Sequence, residues 1–187
     1  MSSQSTKSSA RRTPIHTRNI SSVGYLREDE LWDIETTLTD NKHYPFKTIE
    51  RGELSTNEFV HRMTMVVTLN DELVIQDIEI TMADAPFRLC QAVIPRFDSL
   101  VGVQIKSGWR DKVKALLKGR KGCTHLVELL SVVATTAFQT VLPYRNRNTL
   151  GAKLIHSSIV DQCQGFAANG EVIREHFPQF YKPSDEE

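Results

Sequence analysis

The chain has 187 residues, 40% hydrophobic and 25% charged, with 23 basic and 23 acidic side chains in formal balance. This is the composition of an ordinary folded domain, long enough to bury a core. Zero net charge argues against a general nucleic-acid or acidic-membrane binder, both of which carry a basic excess. No apolar run approaches the roughly 18 residues that span a bilayer.

Residues 1–15 read as a disordered, mildly basic tail, Ser-rich and without the apolar centre of a secretory signal. From Arg18 the pattern is that of strands. Arg18 to Tyr25 is the first. Leu31 to Leu38 alternates, with Trp32, Ile34 and Leu38 on one side and Asp33, Glu35 and Thr37 on the other. Lys47 to Leu54 is a short third strand. In Phe59 to Leu69 the residues Phe59, His61, Met63, Met65, Val67 and Leu69 share a face; Asn70-Asp71-Glu72 turns the chain into a partner over Leu73 to Met82.

After Pro86 the period becomes helical. Helices are expected over Cys90–Leu100 (interrupted by Pro95), Ser107–Leu117 (stopped by Gly119), Thr124–Leu142 (ended by Pro143), 155–168 and Glu171–Phe177. Strands first and helices afterwards predict one α+β domain over residues 16–180. Its twisted antiparallel sheet fills the N-terminal half, helices from the C-terminal half pack on one face, and residues 181–187 form a polar tail.

The candidate site is the start of the third of these helices. Gly122-Cys123-Thr124-His125-Leu126-Val127-Glu128 places a thiol, a hydroxyl, an imidazole and a carboxylate where backbone N–H groups lack partners and the helix dipole is positive. His125 and Glu128, three apart, can meet, and a carboxylate beside an imidazole fixes its tautomer and raises its basicity. The expected catalytic residues are His125, Glu128 and Cys123. Cys123 and His125, two apart, would diverge on a regular helix, so a nucleophilic pair from those two alone is not expected. Thr124, Glu128, Ser131, Thr135 and Gln139 make one polar stripe with a single charge, suited to a cleft or to a plain solvated face. Arg120 and Lys121, just before the helix, would add to the dipole and anchor an anion. Thr124, Thr135, Gln139 and Asp33 complete the expected substrate contacts. His61, on an apolar strand face, reads as a core residue, and His16 and His43 belong to no constellation.

Three cysteines without CxxC spacing point to reduced thiols and a cytoplasmic setting. Cys90, Cys123 and Cys163 could instead converge as metal ligands, though three buried inert thiols are the plainer reading. No cofactor is predicted; a metal is the alternative. No phosphate-binding glycine loop, GxSxG or HExxH is present, so nucleotide hydrolysis, serine-hydrolase and zincin chemistry lack support.

The strings Gly24-Tyr25-Leu26-Arg27-Glu28-Asp29-Glu30-Leu31-Trp32-Asp33-Ile34-Glu35, Leu38-Thr39-Asp40, Arg51-Gly52-Glu53-Leu54, Gly122-Cys123-Thr124-His125-Leu126 and Ala134-Thr135-Thr136-Ala137-Phe138-Gln139 together resemble a bacterial family catalogued as domain of unknown function 2889. The resemblance implies a metabolic role beside catabolic enzymes for aromatic, steroid or acyl-CoA compounds. A looser similarity links Lys121–Phe138 to iron–sulfur scaffold proteins. The expectation is a small cytoplasmic catabolic enzyme doing acid–base chemistry, of hydratase, lyase or hydrolase type. Its substrate would be a small anion such as an organic acid, an aromatic catabolite or an acyl-CoA. It would bind no nucleic acid or membrane and could form a homo-oligomer. A metal- or cluster-carrying scaffold and a non-catalytic binding module are the alternatives.

Overall fold

The computed structural model describes residues 10–147 and 160–183. The N-terminal half is a four-stranded antiparallel sheet in the order β1 (His16–Leu26), β2 (Trp32–Lys42), β5 (Phe59–Leu69), β6 (Ile75–Asp84). The stretch expected as one strand over 47–54 is instead a separate small hairpin, β3 (Phe46–Thr48) with β4 (Gly52–Leu54). Gly52 takes a positive φ of 73° there, and a fold-back at that point prevents a continuous strand.

Alternation in the sequence translates directly into two unlike sheet faces. Ile34, Leu38, Met63, Met65, Val67, Leu69 and Met82 turn one way and are buried. The other face carries Asp33, Glu35, Thr37, Thr64 and Glu79, which are half-buried or exposed among the described residues, as an antiparallel sheet permits. The C-terminal half covers the apolar face. A 3₁₀ segment, Arg88–Leu100, lies on β6, and α2 (Thr124–Arg145) lies across β1, β2 and β5, with α1 (Trp109–Leu117) against it. The 3₁₀ form replaces the expected α-helix around Pro95, whose ring and missing N–H oppose α-helical bonding.

Leu126, Leu129, Leu130, Val133, Ala137 and Val141 of α2 are fully buried. Each large aliphatic contributes about 1.5–3 kcal/mol of burial. By length and composition alone α2 is apolar enough to cross a bilayer, which the run-based reading of the sequence missed. Its apolar side is, however, packed on the sheet, and the stripe Thr124, Glu128, Ser131, Thr135, Gln139 is its exposed side. The helix runs through Pro143 instead of ending before it and stops two residues later, at Arg145. Two close approaches lock α2 in place. Gly24 of β1 lies so near Thr140 that a Cβ there would fall 2.1 Å from its hydroxyl oxygen. The Trp109 indole donates to the Leu130 carbonyl at 3.2 Å. Of the helix expected over 155–168, residues 155–159 lie outside the described residues; the rest, 160–168, is not α-helical and holds turns and a 3₁₀ turn, Gln164–Phe166. A short α3 (Glu171–His176) follows.

Candidate functional site

Antiparallel register brings Arg18, Asp40 and His61 side by side across β1, β2 and β5, on the helix-covered face. The sheet irregularity after Asp40 lies at the same row. Asp40 is buried, its side chain 2% exposed. Arg18 donates from Nε to one carboxylate oxygen and from Nη2 to the other, both at 2.8 Å. His16, two residues earlier on the same strand face, lies 2.9 Å from Oδ1 through Nε2, and His61 Nδ1 lies 3.1 Å from Oδ2. Burial alone would push the Asp40 pKa up. The hydrogen bonds from Arg18 and His16 and the guanidinium charge outweigh it and hold the carboxyl well below the usual carboxylate range. The remaining Arg18 nitrogen reaches Glu128 of α2 at 2.6 Å, so one guanidinium ties helix to sheet.

The first turn of α2 lowers His125 onto this row. Its ring lies against that of His61, centroids 3.9 Å apart, and its Nε2 is 3.7 Å from Asp40 Oδ2. Burial and the neighbouring His125 push the His61 pKa down to about 4, against the pull of Asp40. His61 is therefore a neutral imidazole at pH 7.

Cys123 caps the helix in extended conformation, φ −110° and ψ 130°. Because it stands outside the helix, the divergence expected of residues two apart does not apply. Its Sγ lies 3.9 Å from His125 Nδ1. Burial opposes the thiolate. The His125 interaction and the nearby amides of Leu126 and His125 favour it more strongly, so the thiol pKa falls below its ordinary value, although no capping hydrogen bond closes on the sulfur. The order Cys123–His125–Asp40 is that of nucleophile, proton carrier and orienting carboxylate, at the loose separations common in ligand-free sites.

Of these groups Cys123 is the one that reaches a cleft. The cleft, about 400 Å³, opens between α1 and the start of α2. Trp109, Val113, Leu117, Val127 and Leu130 form its apolar floor; Arg110, Lys114 and Lys118 rim it. Gly122 lets the chain turn in, since a Cβ there would meet the Leu117 carbonyl oxygen at 2.2 Å.

The expected residues thus divide. His125 and Cys123 come together, and Thr124 lines the cleft beside Cys123. Glu128 pairs with Arg18, while the carboxylate beside His125 is Asp40. Arg120 and Lys121 lie in an exposed 3₁₀ turn outside the cleft lining. Thr135 is exposed and bonds back to the carbonyls of Ser131 and Val132, and Gln139 is exposed farther along α2. Asp33 is on the other sheet face, accepting from Thr68 at 2.7 Å. His61, read as a core residue, and His16, read as isolated, both belong to the Asp40 cluster. Among the described residues the cysteines form no ligand set. The group that could hold a metal ion is Asp40, His61 and His125, whose ligand atoms lie within 4.8 Å of one another. The sequence's pointer to this cluster was His61, a polar break in the otherwise apolar face of Phe59 to Leu69.

The family model described as protein of unknown function (DUF2889) matches residues 16–139, well over half of the chain. No curated protein and no solved structure matches it.

Proposed function

The chain belongs to the DUF2889 family of proteins of unknown function, and from its geometry we propose that it is a small thiol-dependent catabolic hydrolase acting on an anionic acyl substrate. The observation that carries this reading is the series Cys123–His125–Asp40, with its sulfur on the wall of a cation-rimmed cleft. A cytoplasmic setting, which keeps thiols reduced, suits it.

In this mechanism His125 Nδ1 takes the Cys123 proton and the thiolate attacks the acyl carbonyl. The first-turn amides of α2, which have no intrahelical carbonyl to bond, face the developing oxyanion. Collapse breaks the bond to the leaving group, which takes the proton from the imidazolium. Neutral His125 then draws a proton from water as it attacks the acyl-enzyme. The acid leaves and the thiol is restored. Asp40 steadies the imidazolium by its charge, and Arg18, His16 and His61 fix the carboxylate.

A screen of acyl esters and thioesters tests this. A positioned proton carrier supplies about 10²–10⁴-fold, so His125→Ala should lose at least that much turnover, with Cys123→Ser falling as far. A Cys123→Ser protein at full activity beside an inactive His125→Ala would replace the covalent route with hydratase or lyase chemistry. Full activity in both would overturn the site.

The set Asp40, His61 and His125 supports a second reading, a divalent metal site. Two imidazoles and a carboxylate suit zinc, iron or manganese, and such an ion would supply Lewis acidity and an activated water. Arg18 counts against it, because its two nitrogens already occupy both Asp40 oxygens. Elemental analysis of protein purified without chelator decides: stoichiometric metal lost in His61→Ala establishes this reading, and metal-free active protein removes it.

A further inference from the structure

The cleft carries information about its occupant that the catalytic series does not. Arg110 and Lys114, four residues apart, lie on one side of α1 about 6 Å apart along its axis, and Lys118, the residue that ends the helix in extended backbone, adds a third cation to the same cleft. Among the described residues none of the three has an acidic partner, and no carboxylate lines the cleft. Elsewhere Arg18, Arg27, Arg51, Arg62 and Arg145 are each committed to an aspartate or glutamate. A row of uncommitted cations above an apolar floor is complementary to an amphiphile: an apolar tail, and a head with negative charges spread over several ångströms. A single carboxylate would satisfy one cation of the three. A nucleic-acid strand would need stacking aromatics, whereas Trp109 is buried and bonded inward to Leu130.

Resting on the hydrolase reading, we propose that the substrate is an acyl thioester whose leaving thiol is borne on a carrier with two or more phosphates. Its acyl chain lies on Val127, with the edges of Val113 and Leu117 beside it, and its phosphates lie along Arg110, Lys114 and Lys118. The reactive carbonyl then sits at the Cys123 end, with the hydroxyls of Thr124 and Ser131 on the α2 wall. The Cys123 sulfur forms a new C–S bond as the substrate's C–S bond breaks. The departing thiolate takes its proton from His125, and water later releases the acyl group as a carboxylic acid. No oxidant or reductant enters, since one thioester is exchanged for another before hydrolysis.

Binding to the full-length Cys123→Ser protein tests this apart from turnover, read by tryptophan fluorescence or calorimetry with octanoyl-coenzyme A, coenzyme A and octanoate as probes. Octanoyl-coenzyme A should bind at least about tenfold more tightly than octanoate, and added salt should narrow the difference. Lys114→Glu with Lys118→Glu should weaken it about tenfold or more. Val127→Trp, which fills the floor, should weaken octanoyl-coenzyme A and spare coenzyme A. Equal binding of octanoate and octanoyl-coenzyme A, or indifference to the two charge reversals in a variant with an unchanged circular dichroism spectrum, overturns the proposal. Hydrolysis of a neutral ester by the wild type without octanoyl-coenzyme A binding would overturn the substrate class alone. Tight binding without any wild-type turnover would support the seat and overturn the hydrolase reading.

Discussion

Asp40→Asn is the substitution that most directly probes how the site is held. The carboxylate accepts two hydrogen bonds from Arg18 at 2.8 Å and lies 2.9 Å from His16 and 3.1 Å from His61. Asparagine keeps the shape and one acceptor oxygen, but turns an NH₂ toward groups that also donate and leaves the guanidinium without its buried counter-ion. Removing one partner of a buried pair costs about 3–5 kcal/mol. Arg18 is one-third exposed and retains Glu128, so the low end, about 3 kcal/mol, is expected. For a chain of this size that is a fall in Tm of about 6–12 °C, measurable by circular dichroism and by urea unfolding at pH 7. Arg18→Met in the same background should cost much less than it does alone, because the two residues share one interaction. The pH dependence follows from the same pair. The folded-state pKa of Asp40 lies below its unfolded value of about 3.9, so its stabilisation is whole above about pH 4 and is lost as the pH falls below that. The variant should lack this acid-side loss. A cost under about 1 kcal/mol, or strict additivity with Arg18→Met, would refute the view of Asp40 as the anchor of the cluster.

Three further outcomes are expected. His61 titrates near 4 in the fold against about 6.5 when unfolded, so its stabilisation is whole above pH 6.5 and is lost between there and pH 4; urea titrations across that window should be flatter for His61→Gln, by at most about 3 kcal/mol, and parallel curves would contradict this. Iodoacetamide should alkylate Cys123 with a midpoint below that of an ordinary thiol, with His125→Ala moving it upward, and identical profiles would remove the His125 contribution. Gly122→Ala drives a Cβ against the Leu117 carbonyl, a backbone atom that cannot swing aside, so unfolding free energy should drop by about 1–3 kcal/mol; a neutral effect would mean that the α1–α2 connection is looser than described.

Much of the scaffold is legible in the chain because its signals are local. The period-two pattern of Phe59 to Leu69 specifies strand, face and even the inward side of His61. The start of α2 at Thr124 and its buried stripe follow from the period of its leucines and valines. Local rules met exceptions in context: α2 continues through Pro143 to Arg145, and Gly52 folds one expected strand into a hairpin.

Spacing along the helix placed Glu128 beside His125, since three residues apart is one turn. Three strands had to align before the real carboxylate partner emerged. Arg18 and Asp40 are neighbours by register between β1 and β2, His61 joins them from β5, and Arg18 then draws Glu128 away. The sequence by itself determined the thiol–imidazole segment, the helix that bears it and the face on which that helix packs, all set by interactions within a few residues. Only the tertiary structure decided that Asp40 is the hub and that Arg110, Lys114 and Lys118 rim the cleft. Pairings between distant segments are fixed by strand register and helix docking, which leave no periodic trace in the chain.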